Sequence, residues 1–454
     1  NTPTTLVASG VWSIQDQFEA QSSSTWPLTF PRTTFTNACR FNSDAYMVKN
    51  NESPTNQKKY TINVWVKRSV LSSRQRVFTV IDTSNTAAYS YLEFQSGDTI
   101  NFDDFDGSST RLTRTTNRVF KDISAWYNII IAVDTTLSSA SSRVKMYING
   151  IEETSFSGTS NASQDFNTTT LNSSKTFRVG EHGTAGFRFG GYMTEFILVD
   201  GQTLDQTSFG ATNPVTNIWE PIAYTGTYGT NGFKLNFSDS SNLGDDTSGN
   251  GNDFTVTNLT SVDQSTDTPS NNFATLNPLD SGTITFSDGN LTATSGSDYH
   301  ATKGTIGVKT GKWYFEIKMN ASTGGQNVAD QFIGITGDNT PVTGATYDNN
   351  PSVIYGGSSG IIDKDGTNTQ TGLTEFSSGQ IIGVALNMDD LEIEFYNNGT
   401  KQGSTQSISS FTGSYLPFYI GANARSSSFN FGAPPYTISS GNADANGFGN
   451  FEYA

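Results

Sequence analysis

The chain has 454 residues, more than one compact core carries, so length alone asks for two or three domains. Only 34% of residues are hydrophobic and 15% charged, yet 12% are aromatic, with 31 Phe and 18 Tyr. Set among abundant Gly, Ser, Thr and Asn, that excludes disorder and points to an all-β protein. A net charge of −16 argues against nucleic acid and anionic surfaces, the single Cys39 excludes an internal disulfide, and no run reaches 18 apolar residues that would insert in a membrane.

Residues 1–32 read as an N-terminal arm. In "GVWSIQDQFEAQ" Val11, Ile14 and Phe18 have helical spacing with Trp12 beside them, and "WPLTFPR" stops any helix. The segment suits an anchoring arm or, equally, a terminus packed on its own domain. It lacks a basic region followed by an apolar core, so no secretory signal is expected, and the many N-x-[ST] triplets then signify little more than a polar surface.

Over residues 33–204 the pattern is alternating strands between polar turns: "ACRFN", "AYMVK", "YTINVWVKRS", "QRVFTVID", "SYLEFQS", "DTINFDDFDG", "WYNIIIAVD", "RVKMYING", "KTFRVGEH" and "GYMTEFILVDGQTL". In "YTINVWVKR" Ile62, Val64 and Val66 form one face and Asn63, Trp65 and Lys67 the other, while the nearly continuous apolar run of "WYNIIIAVD" predicts a central strand. Asn149-Gly150 suits the tight turn in which both central residues have positive φ. This succession, with its "W-hxhxhxxD" strand and "hYhNG" hairpin, resembles laminin-G-like, concanavalin A-type domains. The resemblance implies a jelly-roll sandwich.

Residues 205–279 read as an irregular connector with one convincing strand, "GFKLNFSD", and with Trp219, Tyr224, Tyr228 and Phe233 in need of burial. Within it "DTSGNGND" sets Asp246, Ser248 and Asn250 at alternating positions before Gly251, the first half of a calcium loop. The closing acid is absent, since position 257 is Thr, and Asp and Gly are ordinary turn formers. Similar phrases accompany laminin-G-like domains, some of which bind calcium. Calcium is therefore the one cofactor this sequence suggests. "DFDG" (104–107) and "DKDG" (363–366) are acid-rich in the same way.

Residues 280–437 carry a second set of strands: "HATKGTIGVKTGKWYFEIKMN", "QFIGITGDN", "GQIIGVALNMDDLEIEFYNNGTKQG", "YLPFYIGANA" and "SFNFG". Their order and wording resemble the SPRY domain, which implies a second jelly roll followed by a tail, 438–454. The stretch 338–376 does not match, and SPRY domains bind through those loops, so no ligand carries over. Asn398-Gly399 repeats the earlier hairpin turn, an architectural repetition.

The strongest enzymatic candidate is "DDLEIEF". On a strand, Asp390, Glu392 and Glu394 would project from one face, as the acids of some jelly-roll glycosidases do, although their order here is D-x-E-x-E. Leading into a SPRY-like hairpin, the three are expected to be solvent-facing and non-catalytic. His182 and His300 lie near no G-x-S-x-G elbow. Two such sandwiches behind "GVWSI" resemble structural proteins of tailed bacteriophages. That implies a non-enzymatic virion protein of fibre, tail or capsid surface, joined through its arm to other virion proteins, homo-oligomeric and binding a host-surface glycan or receptor. The alternatives are a glycosidase or lyase acting on surface polysaccharide, and a decoration protein with no ligand.

Overall fold

The computed structural model describes residues 33–81, 88–183, 186–320, 330–342, 351–408, 413–445 and 447–453. The N-terminal arm, with Val11, Trp12, Ile14 and Phe18, lies outside them. Among the described residues the only helices are three single 3₁₀ turns, Ala140–Ser142, Gln206–Ser208 and Ser261–Asp263, and all else regular is strand. Among the described residues the strands pair antiparallel into two sandwiches, the first of two eight-stranded sheets and the second of two seven-stranded ones, with a separate ribbon of Gly210–Thr212 and Trp219–Pro221.

In the first sandwich, one sheet is centred on Trp126–Asp134, Lys59–Arg68 and Gly191–Asp200, and the other runs from Phe156–Ser160 to Thr255–Thr257. Ile62, Val64 and Val66 meet Phe78, Leu92 and Phe102 of the facing sheet in the core, as the alternation predicts. The opposite face of Lys59–Arg68 is also covered: Asn63, Trp65 and Lys67 are buried. That double cover explains the unbroken apolar run of Trp126–Asp134, whose Ile130 and Ala132 pack outward under Phe209, Tyr224 and Tyr228.

The segment expected as a connector supplies much of this sandwich. Phe233–Leu235 pairs with Phe196–Leu198, Thr255–Thr257 with Tyr46–Val48, and Gln264–Ser265 with Ala38–Cys39. Phe233, Phe237, Leu243 and Phe254 enter the first core. A bulge at Glu195, whose φ is 46°, shifts the register against Lys59–Arg68 by one residue, and its carboxylate pairs with Lys234 at 3.1 Å.

The two Asn-Gly hairpins are built alike. Asn149 and Asn398 have φ of 48° and 47°, and Gly150 and Gly399 have φ of 77° and 74°, as the primed turn requires. Each Asn also binds the next strand along. Asn149 N–H donates to Asn128 O at 3.0 Å while its Oδ1 accepts from Asn128 N at 2.7 Å. Asn398 makes the same pair with Ile381, both at 2.9 Å. Over each glycine lies an aromatic ring from later in the chain, Trp219 on Gly150 and Tyr453 on Gly399, where a Cβ would collide.

The sandwiches dock through buried polar groups. Lys67 Nζ donates to Asp267 Oδ2 (2.7 Å), Asn272 Oδ1 (2.8 Å) and Phe273 O (2.7 Å), which uses all three of its protons. Trp126 Nε1 holds the other Asp267 oxygen at 3.0 Å. Across the junction Tyr192 Oη donates to Gly289 O (3.0 Å), Asn290 Nδ2 to Ser69 O (2.9 Å) and Arg40 Nη1 to Pro434 O (3.4 Å). Removing one member of such a pair strands a buried charge. Lys67→Met is therefore expected to cost about 3–5 kcal/mol in chemical denaturation, and the double variant Lys67→Met/Asp267→Leu to recover most of that loss. A single variant within about 0.5 kcal/mol of the parent would show that the pair does not hold the junction.

Candidate binding groove

The outer face of the second sandwich is formed by Lys312–Met319, Ile381–Asn387 and Glu392–Asn397, whose Phe315, Ile317, Val384, Leu386, Ile393 and Phe395 turn inward. Outward go Tyr314, Glu316, Ala385, Asn387 and Glu394. The C-terminal tail folds back over part of this face. Glu452 N–H and Tyr453 N–H donate to the two oxygens of Glu316 at 3.0 and 2.7 Å, and Asn430 Nδ2 and Tyr314 Oη supply two further donors. Glu316 is thus a fully buried carboxylate satisfied by four donors. Burial and the Glu316 charge push the Tyr314 hydroxyl up, so it stays a donor.

Between this tail and the exposed part of the sheet runs a groove of about 700 Å³. Ala385 and Asn387 form its floor, Glu392 and Glu394 one wall, and Asp444, Phe448 and Phe451 the other. At its end stands Trp313, 50% exposed, with Nε1 anchored to Thr310 O at 2.7 Å; Phe448 is 47% exposed. Next to Trp313 a smaller apolar cavity of about 120 Å³ enters the sandwich between Val308, Ile335 and Pro417.

The Concanavalin A-like lectin/glucanases superfamily matches residues 41–208, and the SPRY domain matches residues 312–434. The chain carries a concanavalin A-like domain followed by a SPRY domain. Solved structures to which it is similar include the SPRY domain of human HERC1, with 19% identity over 34% of this chain and 96% of that one, at a TM-score of 0.28. Another is the mouse laminin alpha1 chain, domains LG4-5, with 10% identity over 87% of this chain and 88% of that one, at a TM-score of 0.30. A third is the SAP-like pentraxin of Limulus polyphemus, with 12% identity over 42% of this chain and 90% of that one, at a TM-score of 0.30. No curated protein matches the chain.

In the SPRY domain the three acids of "DDLEIEF" do not project as one row. Leu391 has φ of 57° and the strand starts at Glu392, so Asp390 stays in the turn, where it accepts from Asn387 Nδ2 at 2.7 Å. The alternation expected from the spacing holds only for Glu392 and Glu394. Glu394 accepts from Lys401 Nζ (2.6 Å), Thr405 Oγ1 (2.6 Å) and Tyr396 Oη (2.5 Å). These bonds, Lys401 first, hold its carboxyl down at about 2. A general acid needs the opposite shift. The stretch 338–376, unrecognised from the sequence, lies within the matched residues, and its Ser352–Gly356, Ile361–Lys364 and Thr367–Gln370 continue the other sheet of this domain, the last of them at its edge.

Asp246, Ser248 and Asn250 do come together beside the concanavalin A-like domain, as a hydrogen-bonded turn. Asp246 Oδ1 accepts from Lys234 N (2.8 Å) and Ser248 N (2.9 Å), and its Oδ2 accepts from Ser248 Oγ and Asn252 N, both at 2.8 Å. Asn250 Nδ2 donates to Gly229 O and Gly232 O at 2.7 and 2.8 Å. Donor hydrogens thus face both oxygens of Asp246 and, from Asn250 N at 3.2 Å, the hydroxyl oxygen of Ser248, so the turn is closed by its own hydrogen bonds. Of the two histidines, His182 has a buried Nδ1 without a hydrogen-bond partner, and burial and then Arg76, Arg74 and Arg178 push its pKa down. His300 begins a strand, its ring against Gly282.

The acids of "DFDG" part company. Asp106 accepts from Ser108 N and Ser109 N in its turn. Asp104 is buried and accepts from the Thr169 amide at 2.9 Å, and burial pushes it up to about 7. Its raised value favours the folded state below the ordinary carboxylate pKa, and that advantage is lost as pH rises towards 7. Asp104→Asn is expected to flatten the fall in melting temperature between pH 4 and 7 relative to the parent; parallel pH curves would refute the assignment. Excess EDTA is expected to leave the melting temperature unchanged, whereas a fall would reveal an ion bound only to the folded state.

Proposed function

We propose that this chain is a non-enzymatic virion protein of a tailed bacteriophage, displaying two recognition sandwiches on a fibre, tail or capsid surface for attachment to a host-surface glycan or receptor. The observation that carries the binding role is the open groove of about 700 Å³ beside Trp313. A half-exposed indole whose Nε1 is tied to the Thr310 carbonyl is a stacking platform, and Glu392, Glu394 and Asn387 supply polar partners along one side. Concanavalin A-like and SPRY domains typically serve as recognition modules, which supports the same reading. The virion setting rests on the "GVWSI" phrase ahead of paired sandwiches, and with it go attachment to other virion proteins through the arm and homo-oligomerisation.

The enzymatic alternative has one observation in its favour: Glu392 and Glu394 share the groove wall. Against it, Glu394 is locked in its charged form by three donors. Trp313→Ala in the full chain is expected to weaken binding to host cells or purified surface polysaccharide at least tenfold, equivalent to about 1.4 kcal/mol, with no reducing ends released by the parent. Turnover that disappears in Glu392→Gln or Glu394→Gln would replace the binding role with catalysis.

A further inference from the structure

A second concave site lies at the junction of the two domains, away from the Trp313 groove. One hollow, about 430 Å³, is lined by Ser43, Ser73, Arg74, Phe187 and Arg188. A second, about 380 Å³, is lined by Asn42, Asp44 and Ser69 of the first domain and by Ser287, Asp288 and Asn290 of the second. Ser43 and Val70 line both, so the hollows form one cleft that crosses the domain boundary. The bonds from Tyr192 to Gly289 and from Asn290 to Ser69 fix its two banks relative to each other.

Its first end concentrates positive charge in a chain whose net charge is −16. Arg74 and Arg76 converge on one buried carboxylate, Glu93, and Arg178 and Arg188 on another, Glu181. Four guanidinium groups thus face two carboxylates. Of the four, Arg74 and Arg188 line the hollow: Arg74 binds Glu93 through Nε and Nη2, while Arg188 lies 3.8 Å from Glu181, an ion pair without a hydrogen bond, and its Nη1 donates to Ser43 O at 3.5 Å. Phe187 sits in this cluster with φ of 55°, its ring 39% exposed and 4.3 Å from the Arg74 guanidinium. The other end of the cleft offers Asp44, Asp288 and Asn290, which suit hydroxyl donors.

We propose that this cleft binds an acidic polysaccharide, with a uronate-type carboxylate between Arg74 and Arg188. The ring of that sugar lies on Phe187, and the adjoining neutral residue extends along the cleft to the Asp44 and Asp288 end. An arginine fork matches a planar carboxylate in two parallel hydrogen bonds, and the aromatic ring takes the apolar sugar face. The inference names a ligand class for the recognition role proposed above but uses different residues, so either can fail alone.

The test is calorimetric titration of the full chain with oligogalacturonate, with neutral dextran and with dextran sulfate of similar length. Oligogalacturonate is expected to bind, dextran to bind at least tenfold more weakly, and the affinity to fall as salt rises. Arg188→Gln is expected to weaken oligogalacturonate at least tenfold with an unchanged melting temperature, because its native bonds are long and few. Trp313→Ala should leave this binding intact. Three outcomes would overturn the assignment: dextran binding as tightly, dextran sulfate binding as tightly and losing as much in Arg188→Gln, or Arg188→Gln without effect. Should Arg188→Gln prove unstable, Ser73→Trp, which fills the cleft from an exposed position, must abolish binding for the proposal to stand.

Discussion

The architecture depends on a lysine ammonium buried between the two sandwiches. Lys67 is on the outward face of a central strand of the first domain, where a solvent-facing side chain would be unremarkable. It is instead fully buried, with three acceptors from the segment Asp267–Phe273. Desolvating an ammonium is costly unless each proton finds an acceptor, so the segment has one low-energy place to lie. Phe273 follows directly and packs against the second core, so the charge that seats the connector also sets where the second domain begins. Trp126 completes the arrangement by holding the other oxygen of Asp267.

The repeated hairpins show the same logic with neutral groups. In both domains an Asn side chain and backbone N–H clamp one residue of the adjacent strand, which fixes register across three strands from one turn. In both, a ring from the chain beyond the sandwich covers the turn glycine. Two dissimilar domains thus use one device to attach an outlying segment to a sheet edge.

Much of this was legible in the sequence, and its gaps have physical causes. Alternation exposed the strands whose inward residues are aliphatic or aromatic, and the Asn-Gly pairs marked their turns. Thr110–Val119 escaped because its inward residues are Leu112, Arg114 and Thr116, and Arg114 is buried by bonding Ser160 O and Asn161 Oδ1, so no hydrophobic period shows. Phe233–Leu235 was read within "GFKLNFSD", but Gly210–Thr212, Trp219–Pro221, Thr255–Thr257 and Gln264–Ser265 are three residues long or less, below any periodicity. In "DDLEIEF" the spacing was visible but the positive φ of Leu391 was not, and so Asp390 was expected on a face it does not share. The Trp313 groove was hidden for a different reason: its far wall comes from a Gly- and Asn-rich tail whose seat, the carboxylate of Glu316, looks like any alternating strand residue.

Both concave sites lie where the chain adds something to a sandwich. A β-sheet face is only gently curved and offers a ligand little enclosure, so a sandwich acquires a groove when a segment rises beside the sheet or another domain abuts it. The tail Asp444–Phe451 does the first for the SPRY domain, held down by two backbone amides on Glu316. The docking of Gly289 and Asn290 against Tyr192 and Ser69 does the second at the domain boundary. Burying Glu316 and Lys67, each costly alone, therefore has a consequence beyond stability, because each helps to position one bank of a concave site. The polar groups that look most expensive in this fold are the ones that give its otherwise flat surfaces their relief.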